Sequence, residues 1–423
     1  MTDRHRFAWP AHILGACMAV LALATPARAQ DAKAPVQDPL GVVKIPKGAP
    51  IVIGGYWTLS GSETALGVDQ KRGVEVAFAD VGNKAAGHPI KLIAEDSLCS
   101  AEGGQTAATK LAANQNVVVV LGPDCSSAAT PGAPILWKAG IASIGTSTTA
   151  PHLTAPNRGA QFDGFVRTIY SDIWQGQGDA KWMYNVMGCK TAATIHDGSP
   201  YAQQLVAVYE KHFKELGGTI VASEAVSPQD VDMQPMLTRV ATAKPCVVYY
   251  PVFVAAAAQI TRQAKNVSGL KGTKLVGGGA LMTRDFVAAV GKDVVGFPIT
   301  YSDISKDALG KNYPKLVAEY TKTFGEAPIQ GFHAHAYDGA RIAIMAIEKV
   351  AVTDKAGNTY IGRKALRDAL FATKGYDGMA GPVECNANGE CQRFKFAVYE
   401  FVDADPATFE PGKNPKKVYS ATQ

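Results

Sequence analysis

The chain has 423 residues, of which 47% are hydrophobic and 19% are charged. This length is sufficient for two domains of conventional size. The formal net charge is only +5, and both signs are spread along the chain. The composition therefore gives no reason to expect a nucleic acid or an anionic membrane surface as partner.

The first 29 residues have the pattern of a cleaved secretory signal peptide. A basic start (MTDRHRFAWPAH) precedes an apolar run (ILGACMAVLALAT), and PARA then offers a cleavage site after Ala29. The apolar run is too short to span a bilayer. The alternative is a lipobox, LGAC ending at Cys17, but the apolar run continues past that cysteine to the better site. The sequence therefore predicts an exported protein that starts at Gln30.

Beyond the signal peptide, a lead-in at residues 30–48 carries Pro and Lys residues that predict flexibility. Short apolar runs then alternate with helical patterns. The strand-like runs are IVIGGY (51–56), IKLIAED (90–96), VVVVLG (117–122) and IASIG (141–145), followed after Arg167 by TAATIHD (191–197), CVVYYPV (246–252) and KLVGGG (274–279). The repeated β-α-β-α order predicts an α/β fold with two lobes of similar architecture, each a parallel sheet covered by helices on both faces.

Five strand-to-helix turns are candidate functional positions, because ligands bind at the carboxyl ends of strands in open α/β sheets. They are GPDCSS, GTSTT, HDGSPY, YYPVF and VGGGAL. Ser126 follows one strand, and Ser147 to Thr149 follow the next. These hydroxyls and the unpaired N–H groups of helix N-termini could bind a carboxylate. The competing interpretation is that the hydroxyls only cap their helices.

A catalytic role has little support in the sequence. The chain has no GxSxG or HExxH motif, VGGGAL is not GxGxxG, and GCKT lacks the upstream glycine of a phosphate loop. Of the eight histidines, only His196 in HDGSPY is predicted at a strand end that faces the cleft. The two histidines of FHAHAYDG would point in different directions on a helix. We therefore predict a binding protein without a cofactor, and not an enzyme.

Six cysteines remain beyond the signal peptide, an even number that is typical of three disulfides in an exported protein. A metal site is the alternative, but no CxxC or HxxxH spacing supports it. Cys385 and Cys391 flank NANGE, a hairpin turn that would bring them opposite each other. Cys189 and Cys246 each open a strand-like run, so adjacent parallel strands could join them.

An ordered set of motifs extends from about Ile51 to Asp403. It consists of LSGSETALG, EDSLC, GPDCSS, GTSTTAPHLT, RTIYSDIWQG, IHDGSPYAQQL, VVYYPVF, QITRQA and AGPVECNANGECQRFKFAVYEF. This set resembles the periplasmic solute-binding proteins of branched-chain amino acid ABC transporters, the leucine/isoleucine/valine-binding protein family. The resemblance implies the type I periplasmic binding fold, in which two Rossmann-like lobes close over a ligand about three hinge crossings.

The resemblance also implies how the chain is divided. The expected parts are a signal peptide (1–29), the lead-in (30–48), a first lobe (49–168 with 302–378), a second lobe (169–301 with 379–405) and a C-terminal tail (406–423). Hinge crossings are expected near 167–171, 297–303 and 377–382. The family further implies a periplasmic monomer that delivers a small ligand to a membrane permease, and a disulfide between Cys99 and Cys125 that removes Cys125 as a nucleophile.

Family binding residues match positions in both predicted lobes. In amino acid binders of the family, the ligand's α-carboxylate and amine are held by the residues that match Ser126, Ser147 and Thr149. The second lobe closes over the ligand with an aromatic pair that matches Tyr201 and Phe253.

One position departs from the family pattern. Amino acid binders usually carry a glutamate in a G-x-E turn, where it pairs with the ligand ammonium, and here that position is Gly279. A buried ammonium without a carboxylate is costly. One explanation is that Asp172, which matches the acidic residue after the first crossing, replaces the glutamate. Less favourably, Asp124 or Asp303 replaces it. The alternative is that the ligand has no α-ammonium.

Three further positions bear on the ligand. Tyr337 matches a cleft aromatic of the family, Leu66 replaces the usual aromatic of the first lobe, and Trp174 follows Asp172. The last two changes would suit a larger or different side group. The sequence favours a branched-chain or related amino acid as ligand. The alternatives are a small carboxylate, aromatic acid or amide without an α-ammonium, and a ligand sensor of the same fold.

Overall fold

A computed structural model describes residues 35–305 and 308–421. The predicted signal peptide, with its cleavage site after Ala29 and the alternative at Cys17, lies outside the described residues. Within the described ranges, no helix has the length and apolar character needed to cross a bilayer.

The chain up to Arg167 folds around a six-stranded sheet. Its elements are β1 (Val42–Ile45), β2 (Ile51–Trp57), α1 (Thr64–Ala79), β3 (Lys84–Ala85), β4 (His88–Asp96), α2 (Ala101–Ala113), β5 (Val117–Leu121), α3 (Ser126–Lys138), β6 (Ser143–Gly145) and β7 (Phe165–Arg167). The strand order is β3-β4-β2-β5-β6-β7, and the pairs from β4 to β7 are parallel. β5 (VVVVL) is buried along its whole length, as expected for a strand covered on both faces.

The next part of the chain repeats this alternation. Its elements are α4 (Asp172–Lys181), β8 (Thr191–His196), α5 (Pro200–Glu215), β9 (Thr219–Ala225), α6 (Gln234–Thr242), β10 (Val247–Tyr250), α7 (Val254–Ala264), β11 (Lys274–Gly277), α8 (Arg284–Val290) and β12 (Pro298–Ser302). Helix α5 shows how local sequence sets a boundary: the Ser199 hydroxyl accepts a hydrogen bond from the Ala202 N–H, and Pro200 stands at the first helical position.

The remainder of the chain contributes to both halves. Its elements are α9 (Tyr313–Phe324), α10 (His333–Val350), β13 (Val352–Thr353), β14 (Thr359–Gly362), α11 (Arg363–Phe371), β15 (Tyr376–Gly378), β16 (Gly381–Val383), β17 (Phe396–Glu400) and β18 (Lys416–Ser420). Helices α9 and α10 pack against α1. The strands β17 and β18 complete a seven-stranded sheet of order β18-β17-β12-β11-β10-β8-β9, which is parallel from β12 to β9.

Each sheet has its own hydrophobic core. We call the half built on the six-stranded sheet the first lobe and the half built on the seven-stranded sheet the second lobe. The first-lobe core includes residues of α10 and β16, far along the chain, and the second-lobe core includes residues of β17. The structure thus confirms the predicted α/β fold with two lobes.

The structure differs from the predicted segment boundaries in three places. The lead-in is not flexible throughout, because β1 pairs antiparallel with β14. The tail is not separate, because β18 pairs with β17. The third crossing near 377–382 is wrong as well: Val383 and Cys391 pack in the first-lobe core, so the chain crosses between Cys391 and Phe396. In each case the pairing partner is a segment that local sequence does not reveal.

The six cysteines of the described part form three disulfides. Cys99 is bonded to Cys125, which is the residue before α3. Cys189 and Cys246 precede the adjacent parallel strands β8 and β10, and they are bonded to each other. Cys385 and Cys391 close the predicted hairpin turn. All three pairs agree with the sequence-based expectations.

Candidate functional site

A pocket lies between the lobes, where the carboxyl ends of several strands meet. The space in it that no protein atom fills, open solvent included, is about 390 Å³. Its lining residues are Leu66, Asp124, Cys125, Ser126, Ser147, Thr149, Tyr170, Gln175, Tyr201, Phe253, Gly279, Ala280 and Phe332. The structure therefore brings together Ser126, Ser147, Thr149, Tyr201, Phe253 and Gly279, all of which the sequence placed in the site.

The three hydroxyl residues of the first lobe are not equivalent. The Ser147 hydroxyl donates to the Asp124 carbonyl (2.6 Å) and accepts from Gln70 Nε2 (2.9 Å), so its hydrogen bonds are made within the protein. Ser126 accepts from the Ala150 N–H (3.2 Å) and keeps its hydroxyl hydrogen for a ligand. Thr149 is 5% exposed and makes no side-chain hydrogen bond of normal length within the described residues.

Residues 147–150 form the turn that follows β6, and Ser147 and Thr149 of this turn line the pocket. We call it the binding turn. Three of its four carbonyls accept hydrogen bonds: Arg167 Nη1 donates to the Thr148 and Ala150 oxygens (3.1 and 3.0 Å), and the Asp172 N–H donates to the Thr149 oxygen (2.9 Å). Among the described residues, none accepts a hydrogen bond from the N–H groups of residues 147–149. Free N–H groups and two available hydroxyls form a site suited to an anion.

The opposite side of the pocket is aromatic. The rings of Tyr201, at the start of α5, and Phe253, before α7, lie 5.5 Å apart between centroids. The carboxylate of Asp197 fixes this pair, because it accepts from the Phe253 N–H (3.1 Å) and from the Ser199 hydroxyl (2.6 Å). Tyr170 contributes a further ring to the lining. A flat or branched apolar group would fit between such surfaces.

No carboxylate among the lining residues is free to pair with an ammonium. Asp124 is the lining acid, and its Oδ2 accepts from the Thr58 N–H (2.8 Å) while its Oδ1 accepts from the Ser97 hydroxyl (3.1 Å) and the Cys125 N–H (3.0 Å). Asp303, the other acid considered from sequence, is bonded to Lys417 and does not line the pocket.

Asp172 is the remaining acidic candidate, and it lies behind the pocket surface. It is fully buried, and neither carboxylate oxygen makes a hydrogen bond of normal geometry within the described residues. Burial raises the pKa of Asp172 to about 8, although the Thr149 hydroxyl and the Arg167 charge oppose this shift. At pH 7 the neutral acid is therefore the favoured form in the unliganded protein.

The glycine at position 279 is required by its surroundings. A Cβ atom at Gly279 would lie 2.5 Å from Cδ2 of Tyr301, closer than any normal contact. The Tyr301 ring is fully buried, and its hydroxyl donates to the Gly331 carbonyl (3.0 Å). The Tyr301 ring thus occupies the place from which a longer side chain at position 279 would start.

Besides Asp172, two further residues named from sequence lie outside the pocket lining. Tyr337 packs in the first-lobe core, and its hydroxyl donates to Asp80 (2.6 Å). Trp174 is 52% exposed, and its Nε1 donates to Glu390 (3.3 Å). Conversely, four lining residues were not expected from sequence: Tyr170, Gln175, Ala280 and Phe332. Gln175 could have been found, since it lies one helical turn after Asp172 on α4, whereas the motif QGFHAH offers no comparable signal for Phe332.

Comparison with known proteins identifies the family. The sequence model described as "Periplasmic binding protein" matches residues 50–404. The chain belongs to this family. It is a periplasmic binding protein of the ABC transporter type, as the sequence predicted, and the motif-based resemblance is confirmed.

Curated relatives and solved structures agree with this assignment. The chain is 26% identical over 357 residues to the Leu/Ile/Val-binding protein BraC3 of Rhizobium johnstonii, covering 84% of this chain and 92% of the relative. A leucine-binding protein structure from Thermotoga maritima matches with a TM-score of 0.75 and 20% identity, over 84% of this chain and 96% of that one. A Rhodopseudomonas palustris solute-binding protein in complex with benzoate matches with a TM-score of 0.72 and 21% identity, over 88% and 96%. These structures establish the type I periplasmic binding fold.

Proposed function

We propose that this periplasmic binding protein captures a small carboxylate with a compact apolar or aromatic body and no α-ammonium, and delivers it to a membrane permease without catalysis. The observation that supports this proposal most directly is that the Tyr301 ring leaves no space for a side chain at position 279. An acid at that position would have no room, and both carboxylate oxygens of the lining acid Asp124 already accept hydrogen bonds from the protein. An ammonium in the pocket would therefore meet no free carboxylate at the pocket surface.

The donor side of the pocket supports the same ligand class. Ser126, Thr149 and the N–H groups of the binding turn would receive a carboxylate, and the rings of Tyr201 and Phe253 would cover its apolar body. Similar folds accept such ligands, since the neighbours include complexes with benzoate and with 4-hydroxybenzoate.

An α-amino acid is the second candidate, because the Asp172 carboxylate is buried and makes no hydrogen bond of normal geometry among the described residues. A neighbouring fold is known in complex with isoleucine. For this candidate, the ligand ammonium would have to pair with Asp172 and displace its proton, because its pKa is raised to about 8. Amino acid binding would then strengthen as the pH rises towards 8, whereas a simple carboxylate would lack this dependence.

A thermal-shift experiment with matched ligands separates the two candidates. L-Leucine and 4-methylpentanoate share one carbon skeleton and differ in the amine; benzoate and 4-hydroxybenzoate extend the carboxylate series. A ligand that binds the folded state raises its stability in proportion to the logarithm of its concentration. We expect 4-methylpentanoate or the benzoates to stabilise the protein and leucine not to. Stabilisation by leucine alone would favour the second candidate, and no shift with any of the four would contradict the proposal.

The proposal includes export through a cleaved signal peptide and action as a monomer in the periplasm. The composition of residues 1–29 and the family assignment support it. Mass spectrometry of the protein recovered from a periplasmic fraction should find a chain that begins at Gln30. A lipid-modified mass at Cys17 would support the lipobox alternative instead. Light scattering of the purified protein should give the mass of one chain.

A further inference from the structure

Glu390 lies outside the pocket and connects three parts of the molecule. Its Oε2 accepts from Arg167 Nη2 (3.3 Å) and from the Thr154 hydroxyl (3.2 Å), and its Oε1 accepts from Trp174 Nε1 (3.3 Å). Arg167 ends β7 of the first lobe, whereas Trp174 belongs to α4, which packs against α5 of the second lobe. One carboxylate therefore joins both sides of the first hinge crossing.

Arg167 transmits this contact to the binding turn. Its side chain is fully buried, and Nη1 donates to the carbonyls of Thr148 and Ala150, on either side of Thr149. A buried guanidinium requires a nearby negative charge. Glu390 supplies that charge at hydrogen-bond distance, and the attraction opposes the lowering of the Arg167 pKa that burial causes.

The backbone around Glu390 is itself fixed. The disulfide Cys385–Cys391 closes a short loop, residues 385–391, which we call the hinge loop. The Arg167 N–H donates to the Gly389 carbonyl (2.8 Å), and the Cys391 N–H donates to the Arg167 carbonyl (3.1 Å). The hinge loop therefore pairs with the end of β7, and this pairing determines where the Glu390 carboxylate meets Arg167.

We propose that Glu390 and Arg167 are positioning residues for the ligand site. The hinge loop holds Glu390, Glu390 holds the Arg167 guanidinium, and Arg167 bonds the carbonyls of the binding turn, which leaves the N–H groups of that turn for the ligand. The bond from Trp174 adds the start of the second lobe to the same arrangement. This role rests on the proposed function, because it assumes that the binding turn contacts the ligand.

Hydrogen exchange in the unliganded protein tests the positioning without any ligand. The Ala150 N–H is bonded to Ser126, and the Asp172 N–H is bonded to the Thr149 carbonyl, so both amides report on the binding turn. We expect Glu390→Gln to speed exchange at these amides about tenfold, because a charge-assisted hydrogen bond is lost. Amides of β10, in the second-lobe core, should exchange as in the wild type. Exchange at the binding turn equal to that of the wild type would overturn the proposal.

The matched control is Glu384→Gln. Glu384 lies next to the hinge loop, is half exposed and pairs with Lys374 on the surface. This variant loses the same charge without touching Arg167, so exchange at the binding turn should not change. Faster exchange there in Glu384→Gln as well would contradict a specific role for Glu390.

Trp174→Phe covers the case in which Glu390→Gln fails to fold. Trp174 is half exposed, so the variant should fold, and it removes only the indole donor to Glu390. We expect about twofold faster exchange at Asp172, since a neutral hydrogen bond contributes less than a charged one. Unchanged exchange would count against the link to α4 and thus against the arrangement as proposed.

Ligand-binding measurements distinguish a failure of this proposal from a failure of the proposed function. The probes are 4-methylpentanoate, benzoate and L-leucine, titrated into the wild type and into Glu390→Gln. If one of them binds the wild type, its affinity should fall about tenfold in the variant, in line with the exchange rates. If none binds the wild type, the proposed function fails, and the exchange experiment still decides the positioning role.

Discussion

The two walls of the interlobe pocket differ in chemistry and in how they are held. On the first-lobe side, consecutive carbonyls of the binding turn are bonded by Arg167 and by the Asp172 N–H, and the free groups are donors. On the second-lobe side, the surface is formed by Tyr201 and Phe253, and the Tyr301 ring fills the space beside Gly279. Under the proposed function, the first wall would bind the carboxylate of the ligand and the second wall would cover its apolar body. Substitutions can test each wall separately.

Gly279→Glu should have the largest effect. The new Cβ would clash with the Tyr301 ring, and the new carboxylate would be buried without a partner, so we expect the free energy of unfolding to fall by about 3 kcal/mol or more. Urea denaturation measures this change. If Tyr301 is the cause, the same substitution should cost less in a Tyr301→Ala background. Equal costs in the two backgrounds would show that Tyr301 does not exclude the acid.

Thr149→Val tests the first-lobe wall. The loss of a hydrogen bond to a charged ligand group should lower affinity about 10- to 100-fold, corresponding to roughly 1.5–3 kcal/mol. Isothermal titration with the ligand identified by the thermal-shift experiment measures this. Ser147→Ala is the control, with an expected change of less than about threefold, because the Ser147 hydroxyl is already bonded to Asp124 and Gln70. The reverse order of effects would show that Ser147 is the ligand contact.

Asp172→Asn tests whether a charge lies behind the pocket. The unfolded chain ionises this group near pH 4, whereas the folded protein holds its pKa at about 8. The group therefore costs stability as the pH rises from about 4 to 8. We expect the variant to be more stable than the wild type near pH 8 and little different from it at pH 4. A variant that is less stable at pH 8 would indicate that Asp172 is ionised and paired.

The smallest effect concerns a contact between the lobes, from His152 to Gln204. The side-chain oxygen of Gln204, on α5, accepts a hydrogen bond from the backbone N–H of His152 (3.1 Å). The Gln204 Nε2 group therefore faces the ring and donates to His152 Nδ1 (2.7 Å). Because Nδ1 accepts this hydrogen bond, the imidazole ring must be neutral. Burial, with the nearby Arg167 charge, lowers the pKa of His152. Protonation removes the bond, so ligand affinity should be full above about pH 6.5, the ordinary value for histidine, and should fall below it.

Gln204→Leu checks this contact directly. At pH 7.5 we expect about fivefold weaker ligand binding, or roughly 1 kcal/mol, because both hydrogen bonds between Gln204 and His152 are lost. The decline below pH 6.5 should then be smaller than in the wild type. The control is Gln203→Leu on the exposed face of the same helix, which should bind as the wild type. If Gln204→Leu leaves the pH dependence of ligand affinity unchanged, protonation of His152 is not its cause.

The positions of the binding residues could be predicted from sequence where they depend only on the order of strands and turns along the chain. The strand ends that carry Ser126, Thr149, Tyr201 and Phe253 could be located because parallel strands bring their carboxyl ends to one edge. The hairpin between Cys385 and Cys391 could be read from its turn residues.

Some side chains named from sequence are hydrogen-bonded to distant parts of the protein, and sequence could not indicate this. The Ser147 hydroxyl accepts a hydrogen bond from Gln70, 77 residues away, and the Trp174 indole donates one to Glu390, 216 residues away. The hydroxyl of Tyr337 is likewise bonded to Asp80, 257 residues away. Periodicity and turn chemistry describe a few neighbouring residues and contain no information on such pairs. The third crossing was misplaced for the same reason, since the hinge loop packs with a lobe formed much earlier in the chain.

The disulfide between Cys99 and Cys125 has a consequence for when the protein can bind. Cys125 immediately precedes Ser126, so the covalent bond holds the start of α3, where a ligand carboxylate would lie. Disulfides form outside the reducing cytoplasm. We therefore expect the chain to acquire full affinity only after export, which would keep newly made copies from sequestering the cell's internal supply of the ligand. Protein made in the cytoplasm without residues 1–29 and kept reduced should bind more weakly than the oxidised form.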